Sequence, residues 1–200
     1  MPIFETAVLL DQLAAETRAL IQVVRREFIP LTSDALNRPP TPERWSIAQC
    51  LEHLNSYGQY YLPALENAIQ KGENAPMKAA ARFRSGWLGN YFVNSMQPRA
   101  DGSIGLKAKA VKAHTPAQTL DVVAVVTVFL DQQHRLLALL ERAKNVNIQG
   151  LRVPISIARF IRLSVGDTFR FLIAHEQRHV LQAQRVAAAL ILRPQASVEP

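Results

Sequence analysis

The stretch HEQRH at residues 175–179 lies inside the last long apolar-periodic segment of the chain, from residue 166 to about 192. Apolar residues recur in this segment at spacings of three and four, which predicts an amphipathic helix that Pro194 ends. Residues four apart lie one turn apart on the same helix face, so the imidazoles of His175 and His179 can reach a single ion. The two histidines share their stripe with core leucines, so we expect both to point inward.

A catalytic metal site with three protein ligands needs a third ligand from another part of the chain. The remaining histidines are His53, His114 and His134, and His53 is the best placed, because it follows a strong helix start. Three imidazoles buried without partners in one small core would be costly, and a metal ion compensates them. We therefore predict one metal site formed by His53, His175 and His179. The alternative is a set of buried, hydrogen-bonded histidines without metal.

Four long stretches have helical periodicity and none shows sustained strand alternation, so the predicted fold class is all-α. The second stretch begins with a capping box, Ser46 as the N-cap and Gln49 three residues later. The third begins with Thr115 as the N-cap and Pro116 at the first helical position. The predicted helices cover residues 3–28, 47–70, 116–144 and 166–192, with shorter helical pieces within residues 79–96 and 155–163.

The long connection between the second and third helices decides how these helices can be arranged. Residues 72–115 are the least regular part of the chain, with one short helix and an exposed loop. A connection of this length allows the next helix to run parallel to the second helix, as in bundles with a crossover. At 200 residues the chain is long enough to bury a core as one domain, residues 1–200, with residues 194–200 as a tail.

The formal net charge of +7 raises the question of nucleic-acid binding. The basic residues are scattered, and the lysines at positions 107, 109 and 112 lie in a predicted loop without the aromatic residues that single-strand binders use. No nucleic-acid-binding motif is present in the sequence. We therefore expect no nucleic-acid partner, and the charge suits an anionic small ligand instead.

Cys50 is the single cysteine, which excludes an internal disulfide and a multi-cysteine zinc site. We expect it to be a small buried residue, with service as a soft extra ligand as the alternative. The first residues have no basic segment followed by an apolar core, so no signal peptide is expected. Polar residues interrupt every apolar run, so no membrane span is expected either. The predicted location is the cytoplasm.

Glu176 makes the motif H-E-x-x-H, in which the glutamate of zinc peptidases is the general base. It is the candidate catalytic residue, although it lies about 100° around the helix from His175. The alternative is an exposed or outer-sphere carboxylate. Glu199 has the spacing of a third carboxylate ligand, but it is the penultimate residue, and no sheet is predicted that could hold a peptide substrate. A metallopeptidase is therefore the remote alternative.

Three further side chains are candidates for lining the pocket. Tyr57 lies one turn after His53, and Gln182 lies close to one turn after His179. His134 falls near the apolar stripe of the third long helix. For Tyr57 and Gln182 the alternative role is core packing, and for His134 it is that of a hydrogen-bonded core histidine. His114, just before the predicted third helix, is expected at the surface.

The sequence RPP at residues 38–40, the run WSIAQCLEHL at residues 45–54 and the late H-x-x-x-H pair resemble the DinB-like (DinB/YfiT) superfamily. The resemblance implies a four-helix up-down-down-up bundle with a long crossover between helices 2 and 3. It implies a divalent metal held by His53, His175 and His179, and a homodimer. Characterised members of the family include transferases and isomerases that use low-molecular-weight thiols, and many members are described as metal-dependent hydrolases.

Three neutral imidazoles leave a bound metal with its full +2 charge and with open positions. Such an ion lowers the pKa of bound water, as a hydrolase requires, or holds a thiol as thiolate, as a thiol transferase requires. Histidine ligation suits Zn, Ni or Fe. We expect a metal-dependent enzyme with a small-molecule substrate, acting by thiol transfer or hydrolysis. The rival is a non-catalytic metal-binding or ligand-binding bundle.

Overall fold

The computed structural model describes residues 1–75, 79–99, 101–103 and 111–191. The protein is mainly helical, which agrees with the predicted all-α class, but it also contains two small antiparallel sheets that were not predicted. The helices are α1 (Thr6–Val23), α2 (Ser33–Asn37), α3 (Ile47–Glu73), α4 (Trp87–Met96), α5 (Val122–Ala143) and α6 (Val165–Ile191). The strands are β1 (Ile3–Glu5), β2 (Arg82–Arg84), β3 (Arg152–Ile155) and β4 (Ala158–Ser164).

Four long helices build the core. α3 packs against α5 and α6, and α1 packs against the same two helices. The first apolar cluster joins the beginnings of α1 and α6 to the later halves of α3 and α5, and it includes Leu10, Leu65, Leu140 and Phe169. The second apolar cluster joins the opposite halves of the same four helices, and it includes Leu20, Ile47, Phe129 and Val180. Each cluster therefore ties all four helices together.

A set of buried polar side chains separates the two apolar clusters. This polar layer consists of Thr17 on α1, His53 and Asn55 on α3, Gln133 on α5, and His175, Glu176 and His179 on α6. On each helix these residues lie at the junction where the side chains of one cluster give way to those of the other. The layer thus contains all three predicted metal ligands, with His53 in the second turn of α3 and His175 and His179 near the middle of α6.

The predicted start of α3 is confirmed. The Ser46 hydroxyl accepts a hydrogen bond from the Gln49 backbone N–H at 3.2 Å, and the Gln49 Oε1 accepts one from the Ser46 N–H at 3.0 Å. This reciprocal pair satisfies two of the N–H groups that a helix start leaves unpaired. Trp45, the residue before the N-cap, packs against the second apolar cluster, which contains Cys50.

The predicted start of the third long helix is wrong. α5 begins at Val122, where the Asp121 side chain accepts a hydrogen bond from the Ala124 N–H at 3.1 Å. Thr115 instead ends a short 3₁₀ turn, Lys112–His114. The segment between them is held along the start of α3, since Gln49 Nε2 donates to the Ala117 carbonyl at 3.0 Å. This tertiary contact overrides the local capping signal at Thr115.

The predicted short helix at residues 155–163 is also wrong, because this segment forms a hairpin. β3 and β4 pair antiparallel with a register irregularity after Pro154. Val153 and Leu163 face each other across the pair and are buried against the core, whereas Phe160 at the bulge is exposed. The irregular pairing hides the two-residue alternation by which a strand is recognised in a sequence.

The first and last helices match their predictions apart from their ends. Residues 3–5 pair with β2 as strand β1, so the first helix starts at Thr6, whose N–H donates to the Ala81 carbonyl at 2.8 Å. The short helix predicted within residues 79–96 is confirmed as α4. α6 starts directly after β4 at Val165, and its described part ends at Ile191. Lys107, Lys109, Pro194 and Glu199 lie outside the described residues.

Among the described helices, α5 alone has the length and apolar composition of a membrane span. Its residues Phe129, Leu136 and Leu140 are buried in the two apolar clusters, and α5 packs against α1 and α3. Core helices of soluble proteins have the same composition. The apolar character of α5 is thus explained by burial inside the protein.

Candidate metal centre

The structure brings His53, His175 and His179 together. One ring nitrogen of each lies within 4.8 Å of a nitrogen of the other two. The Nε2 atoms of His53 and His175 are 3.2 Å apart. Two nitrogens that bind one tetrahedral zinc ion at about 2.0–2.1 Å lie about 3.3 Å from each other. The observed separation therefore matches two ligands of a single ion.

The packing of α3 against α6 produces this arrangement. His175 and His179 are one turn apart on α6, and their ring centroids are 4.7 Å apart. His53 projects from the second turn of α3, with its ring centroid 4.6 Å from that of His179 and 5.1 Å from that of His175. Because His53 comes from α3 and the other two histidines from α6, a metal ion bound to all three would lie between these two helices.

Hydrogen bonds on the outer side of two rings select the tautomer that leaves Nε2 free. His53 Nδ1 lies 2.7 Å from the His114 carbonyl oxygen, which can only accept, so Nδ1 carries the proton. His179 Nδ1 lies 3.0 Å from Gln182 Oε1, which accepts in the same way. His175 Nδ1 is buried and has no hydrogen-bond partner among the described residues. In metal sites, acceptors of this kind orient the ligating ring.

Burial keeps the three rings neutral. His53 and His175 are 3% exposed and His179 is 9% exposed. Desolvation lowers the pKa of His53 to about 4 and that of His179 to about 3, and it lowers the pKa of His175 well below its ordinary value. The three ligand lone pairs are therefore available near neutral pH without loss of a proton. In the metal-free protein one of the facing Nε2 atoms of His53 and His175 can donate to the other at 3.2 Å, whereas a metal ion would take up the lone pairs of all three rings.

Aromatic side chains enclose the cluster. The Trp45 ring centroid lies 4.9 Å from that of His53, and the Phe171 ring stacks on His175 at 5.9 Å. The Tyr57 ring lies 4.4 Å from that of His175, so the predicted pocket candidate Tyr57 contacts the site as well as the core. These rings lower the local dielectric constant, which strengthens electrostatic interactions with a bound ion.

Glu176 is buried beside the cluster but is not one of its ligands. Its side chain accepts a hydrogen bond from Gln133 Nε2 of α5 at 3.0 Å, whereas the histidines meet at α3. Burial raises the pKa of the Glu176 carboxyl to about 7. Its second oxygen, Oε2, has no hydrogen-bond partner among the described residues. Of the two alternatives to a catalytic role, the exposed carboxylate is therefore wrong, because Glu176 belongs to the buried polar layer.

Two of the other histidines are not where the sequence placed them. His114 is buried, not exposed, and its ring centroid lies 4.0 Å from that of Tyr57. His134 is exposed on α5, so the prediction that it lines the site is wrong. His134 was a candidate because it falls near the apolar stripe of the third long helix. The neighbouring residue Gln133 is buried on α5, whereas His134 is exposed. The position of His114 depends on how the long connection folds back, and no local pattern encodes it.

Cys50 is buried on α3, where burial raises the pKa of its thiol to about 12. Its sulfur is not part of the ligand group among the described residues. The default expectation of a small buried core residue therefore describes Cys50.

The fold and the site together define a helical protein with three buried histidines that can hold a metal ion. The chemistry of the donor set fits a divalent metal, since three neutral nitrogens converge from two helices. The family model of the DinB superfamily matches residues 9–183, and the chain belongs to that superfamily. No curated protein and no solved structure matches the chain.

Proposed function

We propose that the protein binds one divalent metal ion through His53, His175 and His179 and uses it in chemistry on a small molecule. The favoured reactions are transfer of a low-molecular-weight thiol to a small electrophile and hydrolysis of a small molecule. The observation that carries the proposal is the convergence of three neutral, buried imidazoles whose nearest nitrogens have the separation of co-ligands. Membership of the DinB superfamily supports it.

A divalent ion with three neutral protein ligands retains its charge and open positions, so it can activate water or hold a thiolate. The protein supplies the orientation and the exclusion of water. His114 and Gln182 fix two of the ligand rings, and Trp45 and Tyr57 shield the cluster from solvent. In the thiol reaction the sulfur bonds to the electrophilic carbon, the leaving group departs with the bonding electron pair, and the thiol proton passes to solvent.

The metal identity follows from the ligands only as a class, which is Zn, Ni or Fe. The formal net charge of +7 supports an anionic thiol or carboxylate substrate. Glu176 is the proposed general base if the reaction is hydrolysis, because its pKa of about 7 suits proton transfer near neutral pH. To act in this way its carboxyl must leave Gln133 and turn towards the cluster.

A non-catalytic metal site is the second candidate, and the enclosure of the cluster favours it. The ligand rings are almost fully buried behind Trp45, Tyr57 and Phe171. Two surface clefts of about 340 and 210 Å³ are lined by residues of the hairpin region, α3 and the α5–β3 connection, and none of those residues belongs to the cluster. A metal without access to solvent would hold α3 and α6 together rather than catalyse a reaction.

A metallopeptidase remains the remote alternative. Glu176 is engaged with Gln133, and Glu199 lies outside the described residues. The described strands form two-stranded sheets only, which are small for the sheet edge along which a zinc peptidase binds its substrate. These observations support a reaction on a small molecule rather than on a peptide.

The overall organisation is proposed on the same basis. In the first apolar cluster the beginnings of α1 and α6 meet the ends of α3 and α5. This arrangement supports an up-down-down-up four-helix bundle with residues 72–115 as its crossover. We also propose a single domain, a homodimer and a cytoplasmic location. These last three rest on the sequence and on the family resemblance.

The test is metal analysis of untagged protein followed by spectroscopy of the cobalt form. We expect about one equivalent of metal, and a shift of the cobalt absorption bands when a small thiol is added, because the thiol enters an open position. If the cobalt absorption bands do not shift when thiols or small anions are added, the result would support the non-catalytic site. Protein that takes up no zinc, nickel, iron or cobalt would overturn metal binding itself.

A further inference from the structure

His114 contacts the α3 side of the metal centre in three ways. Its carbonyl oxygen accepts the proton of His53 Nδ1 at 2.7 Å, its own Nδ1 lies 2.9 Å from Ser56 Oγ, and its ring packs on Tyr57. The residue ends a single 3₁₀ turn within the long connection between α4 and α5. One loop residue thus reaches a ligand, the residue three positions after that ligand and the neighbouring aromatic ring.

The proton directions in this contact can be assigned. Ser56 Oγ donates its one proton to the His53 backbone carbonyl at 2.7 Å. The hydroxyl oxygen can then only accept from the imidazole of His114, so His114 Nδ1 carries a proton and donates it. The side chain of His114 is held in one orientation by this bond and by Tyr57. Because the ring and the carbonyl belong to one residue, the carbonyl is held opposite His53.

We propose that His114 is a positioning residue of the metal centre. Its imidazole anchors the loop to Ser56, and the anchored carbonyl fixes the tautomer and the direction of the His53 ring, so that Nε2 faces the ion. The inference rests on the proposed metal binding by His53, His175 and His179. Acceptors that hold the outer N–H of a metal-bound histidine raise its basicity and its affinity for the metal.

The rest of the loop is attached to the helices elsewhere. Gln49 Nε2 donates to the Ala117 carbonyl, and Asn37 exchanges hydrogen bonds with both backbone groups of Leu120. Loss of the His114 side chain therefore leaves the loop on the protein but releases the carbonyl from His53. Asn37 provides a matched control, since it holds the same loop and touches neither His53 nor Ser56.

The test measures zinc affinity by competition with a chelator, in wild type and in four variants. His114→Ala and Ser56→Ala should each weaken zinc binding by about 10- to 100-fold, the usual effect of losing an outer-sphere partner. His114→Asn should stay close to wild type, because its amide N–H stands where Nδ1–H was and can reach Ser56. Asn37→Ala should also stay close to wild type. Thermal unfolding of the zinc-free proteins shows that each variant is folded.

The outcomes separate this inference from the proposed function. If wild type binds no zinc, metal binding fails and the role of His114 fails with it. If wild type binds zinc and both His114→Ala and Ser56→Ala bind it equally well, the proposed function stands and the positioning role is overturned. Equal losses in Asn37→Ala and His114→Ala would also overturn it, because general loosening of the loop would then explain the result.

Discussion

Helix α6 carries two buried polar clusters that differ in how their atoms are satisfied. In its first turn the Asp167 carboxylate accepts hydrogen bonds from Ser85 Oγ, the Gly86 N–H and Ser164 Oγ, and it pairs with Arg170. About two turns later, ring nitrogens of His175 and His179 lie close to a ring nitrogen of His53 on α3. The first cluster is complete in charge and in hydrogen bonds, while the second gathers acceptors without enough donors.

A buried polar group that holds the fold differs from one that can bind a ligand in whether its hydrogen bonds are already complete. Around Asp167 every donor comes from a segment that needs fixing, namely the start of α4, the end of β4 and α6 itself. A satisfied buried network stabilises one arrangement. Under the proposed function, a bound metal ion would supply the interactions that the histidine cluster lacks. Substitutions in the two clusters should therefore separate stability from metal binding.

The largest expected effect is on metal content. His175→Ala removes one of the two most buried candidate ligands and should abolish binding of the one equivalent of metal. The zinc-free protein should remain folded, because both apolar clusters stay intact. Metal analysis and circular dichroism measure the two properties. His134→Ala is the matched control, since it removes an exposed histidine, and it should keep the full equivalent. Metal retained by His175→Ala would contradict the assignment of that ligand.

Asp167→Ala should have the opposite pattern. It leaves the largely buried Arg170 without its carboxylate partner, and such a loss costs about 3–5 kcal/mol of unfolding free energy. Urea denaturation measures this loss, and the folded variant should still bind one equivalent of metal. Asp131→Ala, an exposed acidic residue of α5, should change stability by less than about 0.5 kcal/mol. A stable Asp167→Ala protein would mean that the cluster does not hold the fold.

Glu176 gives a pH-dependent effect in the zinc-free protein. Its pKa rises from 4.5 to about 7 on folding, so its contribution is complete below pH 4.5 and is lost as the pH rises through 7. Glu176→Gln should remove about 3 kcal/mol of this dependence. The buried histidines, whose pKa values are lowered, destabilise the fold at low pH, so the effect must be read as the difference between variant and wild type.

The measurement is urea denaturation from pH 5 to 8 with a chelator present. Glu43→Gln, an exposed glutamate, is the control and should follow wild type at every pH. Identical pH profiles for Glu176→Gln and wild type would show that Glu176 is not held neutral in the folded protein.

The smallest expected effect concerns Gln182. Gln182→Ala removes the acceptor of His179 Nδ1 and should weaken zinc binding by about tenfold, with little change in stability. Gln182→Glu should strengthen binding, since a carboxylate is the better acceptor for the N–H of a ligating imidazole. Chelator competition measures both affinities. If both variants equal wild type, Gln182 does not orient the ligand.

Local signals predicted the parts of the structure that local interactions form. The capping box at Ser46 and Gln49 is a contact between residues three apart, and the pairing of His175 with His179 follows from helix geometry. The strong helix start before His53 made this residue the third candidate ligand, and the resemblance to the DinB superfamily, which the family match confirms, implies the same residue.

The parts that were missed have two causes. The β3–β4 hairpin joins neighbouring segments, and its irregular register conceals its alternation. The displaced start of α5 depends on Gln49 and Asn37 holding residues 117 and 120, and the buried position of His114 depends on Ser56 and Tyr57. These last two arrangements are each decided by partners more than fifty residues away, which periodicity in a short window cannot register.

The polar layer has a consequence for how this protein can change over time. Since each apolar cluster joins all four long helices by itself, we expect the overall fold to persist when side chains in the layer between them change, even where the free energy of unfolding changes. Substitutions at His53, His175, Glu176 or Gln133 are therefore expected to alter the ligand while the scaffold endures. New ligand chemistry could therefore arise in the polar layer without substitutions in either apolar cluster.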